Sequence, residues 1–432
     1  LGKGWGCLHE ITDQRAVTAP LTAFSHMVTD PEELPELIAQ AFTVFFSGRP
    51  RPVHISIPID LLDAPVKTDW QVRTPPARPV ASQASILAAA RMLAEATRPV
   101  LMVGGGAQDC GGCVTQLAQH LDAAVVSSNA GKGVVPESHP LSLGGGMITK
   151  AVRDFVETAD VMLSIGCEIS ETDSFEDYLT LNAQLIRVDI DPSKFNDIYP
   201  ADLGVQGDAK PTVEAILSAL KTLGPAKDHG MAEQLTPVRQ TQDAEFTAIE
   251  QQHKKLLLKL REVLADDAIM MGDIAQLVYT GSAVMPTDQP RTWFYPAGLG
   301  TLGCALPGAV GAKLALPDRA VVALLGDGGF LFTIQELATA VEQHLPIPII
   351  LWNNDALAMI RDGMVKRGIP EIGVTPKNPD FITVARGFGC HTAQPVSLEA
   401  FGEAVTQALN ADAPTLIEVR ENADWLMPRT PY

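Results

Sequence analysis

VVALLGDGG (321–329) and, one unit further on, IPIILWNN (347–354) are the stretches whose reading decides the fold. Each opens on a short run that is apolar at nearly every position, too short for a helix and rich in β-branched residues. Such a run reads as a strand buried on both faces, the signature of a parallel sheet covered by helices. The first strand passes directly into Gly326-Asp327-Gly328-Gly329, and a helical pattern is expected from near Thr333 to about 343. Ligands of open α/β sheets gather beyond the carboxyl ends of the strands, where glycines let backbone N–H groups approach phosphate. Gly326, Gly328 and Gly329 therefore suit a diphosphate. Asp327 would repel a bare phosphate but offers a hard oxygen to a Mg²⁺ lying between them. The second strand ends in Asn353-Asn354, which places amide oxygens at a neighbouring strand end. A lone GDG also fits a plain tight turn; the spacing across a strand–helix–strand unit is what makes the pair specific.

The same alternation extends outward in both directions. In the third unit (245–432) a helix over 249–265 leads to strands at Ala268–Met271, Ala320–Leu325 and Thr415–Val419. A middle unit (83–222) has strands at Val100–Val103, Ala124–Ser127, Val161–Ile165 and Leu185–Ile190, with helices from 83, near 148–158 and near 211–220. The first segment (1–65) carries an amphipathic helix over 32–47 and an alternating strand from Arg51 to Ile59. The Pro- and Ala-containing stretch 62–82 and the polar stretch 221–240 read as linkers. The fold class expected is α/β, in successive doubly wound parallel-sheet domains, the first of them incomplete.

Composition narrows the function. A chain of 432 residues, 46% apolar and 19% charged, has material for more than one core. Its net charge of −19 disfavours nucleic acid and anionic membranes as partners. No apolar run is long enough to span a membrane, so a cytoplasmic location is expected. The six cysteines read as reduced thiols, and Cys110-Gly-Gly-Cys113, the one close pair, reads as a Gly-rich turn opening a helix.

Taken together, GDGG, helix, strand and NN resemble the thiamine-diphosphate motif of the acetolactate synthase and 2-oxo acid decarboxylase family. The resemblance implies thiamine diphosphate and Mg²⁺ as cofactors. Asp327, the Asn354 side chain and the Ala356 carbonyl would hold the metal, with Gly328 and Gly329 facing the diphosphate. The Gly-rich GLGTLGCALPG (298–308) is similar to the segment that precedes this motif in the family. There Leu302 would be the apolar wedge that bends the cofactor, and the Gly300 carbonyl would hold its amino group. Gln276, in the loop after the first strand of the third unit, is expected near the diphosphate. AFSHMVTDPEELPELIAQAF resembles the end of the family's pyrimidine-binding domain, and RPVLMVGGGA its central domain.

Members of the family are dimers or tetramers, which implies a homodimer or homotetramer here. They activate the cofactor through a Glu that the resemblance places upstream of residue 1, so no catalytic residue is assigned and the N-terminal part of the family's length is expected to precede this chain. Glu10 is read as structural. Ile360 stands where pyruvate decarboxylase-like members carry a proton-relaying Glu. The run NNDALAMIRDGM…GIPEIGV most resembles the branch that includes 5-guanidino-2-oxopentanoate decarboxylases. Asp355 and Asp362 are open to two readings, a partner for a guanidinium substrate or solvated carboxylates. Gly104–Gly106 and Gly144–Gly146 read as structural turns. The expected function is non-oxidative decarboxylation of a small-molecule 2-oxo acid to an aldehyde. The alternatives are an acetolactate synthase-like carboligase, or a cofactor-binding paralogue or fragment without catalysis.

Overall fold

Strands that are apolar at every position need cover on both faces, and the computed structural model, which describes residues 4–426, supplies it. The first segment holds two parallel strands, β1 (Phe24–Met27) and β2 (Val53–Ser56), joined by the helix Leu34–Ser47. The second sheet contains β3 (Pro99–Val103), β4 (Ala124–Ser127), β5 (Val161–Ile165), β6 (Gln184–Asp189) and β7 (Leu203–Gln206), in the order β4-β3-β5-β6-β7. The third contains β8 (Ile269–Gly272), β9 (Trp293–Phe294), β10 (Val321–Gly326), β11 (Pro348–Asn353), β12 (His391–Ala393) and β13 (Thr415–Arg420), in the order β12-β13-β11-β10-β8-β9. Every pairing in the described residues is parallel. Residues 62–82 contain no helix or strand.

The third sheet shows why its strands read as unbroken apolar runs. Val321, Ala323 and Leu325 of β10 join Ile349 and Leu351 of β11 in the core on one face. Val322 and Leu324 join Ile350 and Trp352 in the core on the other. Strand side chains alternate between faces, so burying both faces requires an apolar residue at every step. Truncating one of these to Ala would cost about 2–5 kcal/mol.

Two sequence expectations are corrected. The stretch 221–240 is not a plain linker: it contains most of the helix Met231–Glu245, with Pro237 inside it. An interior Pro costs a helix about 3 kcal/mol, and burial of Met231 and Leu235 against the middle core offsets it. The helix after β10 begins at Asp327, not near Thr333, and runs to Thr333 before a second helix, Glu336–Glu342. Glycine's poor helix propensity hid that start. The short strands β7, β9 and β12 were not foreseen.

The middle and third units are locked together beside the third sheet. Lys132, wholly buried, donates from Nζ to Glu137 Oε1 at 2.6 Å and to the carbonyls of Ser282 and Met285 at 3.0 and 3.2 Å. A cation is favourable on the last carbonyls of a helix. It thus anchors the helix Gln276–Val284, whose first residue faces the cleft described next.

Candidate cofactor site

Adjacent parallel strands deliver their carboxyl ends to one edge. Gly272-Asp273 leaves β8, Gly326-Asp327 leaves β10 and Asn353-Asn354 leaves β11, with β13 ending alongside at Arg420-Glu421. Beyond these ends lies an open cleft. Gln276, Leu302, Gly326, Asp327, Gly328, Gly329, Asn354 and Ala356 all line it, together with Tyr279, Trp352, Met359 and Ile360. Gly300 does not. It sits in a turn at φ +60° ahead of Leu302 and outside the lining.

The Gly pair after Asp327 leaves room that a side chain would fill. A Cβ on Gly328 would stand 2.7 Å from Leu357 Cδ2, and one on Gly329 would stand 3.1 Å from the Asp273 carboxyl. Asp327 itself is 3% exposed. Burial raises its carboxyl above the usual range, opposed by the Asn378 amide, which donates to Oδ2 at 2.6 Å.

The two asparagines behave differently. Asn353 is buried at the end of β11; its Nδ2 donates to Glu418 Oε1 at 2.7 Å and its Oδ1 accepts from the Asp355 N–H at 3.1 Å. Asn354 donates from Nδ2 to Gln276 Oε1 at 3.0 Å and Glu421 Oε2 at 3.3 Å. Its Oδ1 is buried with no hydrogen-bond partner. A buried acceptor without a partner is costly and calls for an explanation. A hard divalent cation at the cleft would satisfy it, and a carboxylate, an amide oxygen and a backbone carbonyl are the donors such a cation takes. The residues present fit Mg²⁺ on a diphosphate.

Leu302 is held by a buried carboxylate. Asp273, 0% exposed, accepts from the Gly303 N–H at 2.8 Å and the Ala305 N–H at 3.4 Å, while Oδ1 accepts from the Ile274 N–H at 2.7 Å. Thr333 Oγ1 donates to the Gly303 carbonyl at 2.8 Å. The loop carrying Leu302 is therefore pinned on both sides just before the helix Ala305–Ala315. Burial pushes the Asp273 carboxyl up, and these N–H groups pull it back.

Other sequence candidates lie outside the lining, although Asp355 accepts from the same Asn378 amide as Asp327, at 3.2 Å. Asp355 is exposed and faces Arg420 at 3.5 Å; Asp362 pairs with its neighbour Arg361 at 2.8 Å. Neither lines the cleft. Glu10 accepts from the Gly4 and Cys7 N–H groups at 2.8 and 3.2 Å, closing a turn, and these donors hold its carboxyl below the usual value. Cys110 caps the helix Gly111–Leu121, and Cys113 Sγ donates to its carbonyl at 2.9 Å. Gly104 is packed against backbone, a Cβ there falling 2.2 Å from the Gly166 carbonyl oxygen.

Asn378, Glu418 and Glu421 were missed, and Asp273, within the loop 272–276 expected near the diphosphate, was not foreseen as the anchor of the Leu302 loop. Asp273 carried a signal, an acidic residue directly after an apolar strand, as at Asp327. Glu418 and Glu421 reach the site through sheet order and Asn378 from a distant loop, and none of the three had one.

Comparison with known proteins bears on the same residues. The family model described as the C-terminal TPP-binding domain of thiamine pyrophosphate enzymes matches residues 273–419, and the model of their central domain matches 86–216. The chain is 45% identical over 424 residues to the "probable 2-ketoarginine decarboxylase AruI" of Pseudomonas aeruginosa, covering 97% of this chain and 76% of that protein. It is 31% identical over 430 residues to the acetolactate synthase isozyme 1 large subunit of Escherichia coli, covering 95% and 74%. Over 446 residues it is 30% identical to a probable acetolactate synthase large subunit of Methanocaldococcus jannaschii, covering 97% and 75%.

Proposed function

The chain belongs to the thiamine pyrophosphate enzyme family, and from that premise we propose that it removes CO₂ from a 2-oxo acid without oxidation and releases an aldehyde. The observation that carries the reading is the buried, partnerless Oδ1 of Asn354 beside the buried carboxylate of Asp327. Asp327, Asn354 and the Ala356 carbonyl would hold Mg²⁺, Gly326, Gly328 and Gly329 would give the diphosphate backbone-close access, and Gln276 would lie beside it. When bound, thiamine diphosphate supplies the electron sink that loss of CO₂ requires. Leu302, its loop fixed through Asp273 and Thr333, would stand against the cofactor as an apolar wedge. Trp352, Met359 and Ile360 give the cleft an apolar wall that restricts water.

The similarity to a protein named as a 2-ketoarginine decarboxylase makes 5-guanidino-2-oxopentanoate the first substrate to try. The acetolactate synthase relatives support a second reading, in which the same decarboxylation is followed by transfer to a second 2-oxo acid. Incubation of the full-length protein with thiamine diphosphate, Mg²⁺ and either 5-guanidino-2-oxopentanoate or pyruvate separates them. The proposal expects an aldehyde from the guanidino acid. An acetohydroxy acid from pyruvate would favour the second reading, and release of no CO₂ from either acid would contradict both.

We place the protein in the cytoplasm as a homodimer or homotetramer. No helix among the described residues is long and apolar enough to cross a membrane. The exposed Met359 and Ile360 on the cleft wall support a covered rim.

A further inference from the structure

We infer that Glu421 is a positioning residue for Asn354: its carboxylate decides which end of the Asn354 amide faces the cleft. The inference rests on the reading of the cleft as a Mg²⁺–diphosphate site. An Asn amide turned half a revolution keeps its shape, so its neighbours decide where oxygen and nitrogen point. Gln276 Oε1, 3.0 Å from Asn354 Nδ2, does not decide, because the Gln276 amide can turn as well. Glu421 Oε2, at 3.3 Å, belongs to a group that only accepts when ionised. The opposite orientation would set two acceptor oxygens against each other with no proton between them. With Nδ2 engaged, Oδ1 is left as the buried partnerless atom.

Glu421 is itself fixed. Its N–H donates to the Asn353 carbonyl at 3.0 Å, and Trp352 Nε1 donates to the same Oε2 at 3.2 Å. Glu418, three residues earlier on β13, treats Asn353 in the same way at 2.7 Å. There the freed Oδ1 is taken by the Asp355 N–H, so of the two adjacent asparagines Asn354 is the one with an oxygen to give. A carboxylate behind an amide also polarises it and strengthens its oxygen as a ligand; loss of such supporting partners lowers metal affinity by about 10–100-fold.

The test is a Mg²⁺ titration of the full chain at saturating thiamine diphosphate, followed by melting temperature, for the wild type, Glu421→Ala and Glu421→Gln. The half-saturating Mg²⁺ concentration is expected to rise about tenfold or more in Glu421→Ala. The plateau shift should be kept, and the melting temperature without either additive should change little. In Glu421→Gln, Trp352 Nε1, which can only donate, would hold the new amide oxygen where Oε2 stands, so part of the affinity should be restored. A half-saturating concentration unchanged in Glu421→Ala, with a lowered melting temperature before any addition, would show a merely structural role and overturn the inference alone. Should Glu421→Ala fail to fold, Glu421→Met, equal in length and without an acceptor, decides by the same shift or its absence. If the wild type shows no Mg²⁺-dependent rise, the reading of the cleft falls and the inference with it.

Discussion

The carboxyl ends of β3, β5 and β6 in the middle sheet face a crevice of about 1300 Å³, against about 550 Å³ beyond β8, β10 and β11. Both edges carry glycines and both carry acids. In the middle crevice, however, three acids are paired, Glu168 with Arg49, Asp208 with Arg78 at 2.9 Å and Asp109 with Arg291 at 2.7 Å, while Asp173 accepts from the Asn129 N–H and Ser170 and Asp189 from the Asp191 N–H. Those arginines come from the first segment, the linker and the third unit, so the pairs tie the chain together across the crevice. At the third sheet Asn354 Oδ1 is left buried and unpaired next to Asp327. Volume and glycine content do not separate the two edges. Unsatisfied hard oxygen does.

The largest effect that would break this contrast is at Asp327. Asp327→Ala should lower turnover at least about 100-fold and abolish the melting-temperature rise produced by thiamine diphosphate with Mg²⁺. The matching change in the crevice, Asp109→Ala, removes an exposed pair of the kind worth about 0–1 kcal/mol, and turnover should stay within about twofold. Comparable losses from both would erase the distinction.

The glycines should part company in a different way. Gly104→Ala drives a methyl against the Gly166 carbonyl oxygen, which is backbone. It should cost about 1–3 kcal/mol of stability, seen as a lower urea midpoint. Gly328→Ala meets only the movable tip of Leu357, so the midpoint should hold, while cofactor affinity falls roughly tenfold through the extra methyl in the cleft. Leu302→Ala should also leave the midpoint nearly unchanged and lower turnover roughly tenfold, with the cofactor-dependent melting shift retained.

How far these regions could be read in advance follows from where their determinants lie in the chain. VVALLGDGG and IPIILWNN carry strand, turn and oxygen donors within a few residues of each other, and the parallel sheet and the cleft lining follow from them. The difference between Asn353 and Asn354 was not visible, because it depends on Glu418 and Glu421, which arrive only because β13 pairs with β11. Asn378 donates to Asp327 from a loop 51 residues downstream, with no local pattern. The helix Met231–Glu245 was hidden by Pro237 and a polar composition, since what stabilises it is a few buried contacts with a distant core. Lys132 looked like any loop lysine until the helix end it caps was placed over it.

A last predicted effect concerns acid. His253 packs edge-on to Trp352 beneath the cleft at 4.5 Å between ring centroids, and burial lowers its pKa to about 3. The unfolded chain takes up this proton near pH 6.5 and the folded one does not, so stability falls as pH drops from about 6.5 towards 3. The contribution is about 1.4 kcal/mol per pH unit within that window. In the middle crevice the buried Asp173 and Asp189 have raised carboxyl pKa values, chiefly from burial, and work in the opposite sense. Urea unfolding from pH 7 to 5 should show a shallower loss of stability in His253→Asn than in the wild type; equal slopes would remove His253 from the account.

The most direct test replaces Mg²⁺ with Mn²⁺. Anomalous scattering from crystals grown with thiamine diphosphate and Mn²⁺ should give a single strong peak within coordination distance of the Asp327 carboxylate, Asn354 Oδ1 and the Ala356 carbonyl. A peak in the middle crevice instead, or ordered thiamine diphosphate with no metal at Asn354 Oδ1, would contradict the claim that this unsatisfied oxygen marks the cofactor site.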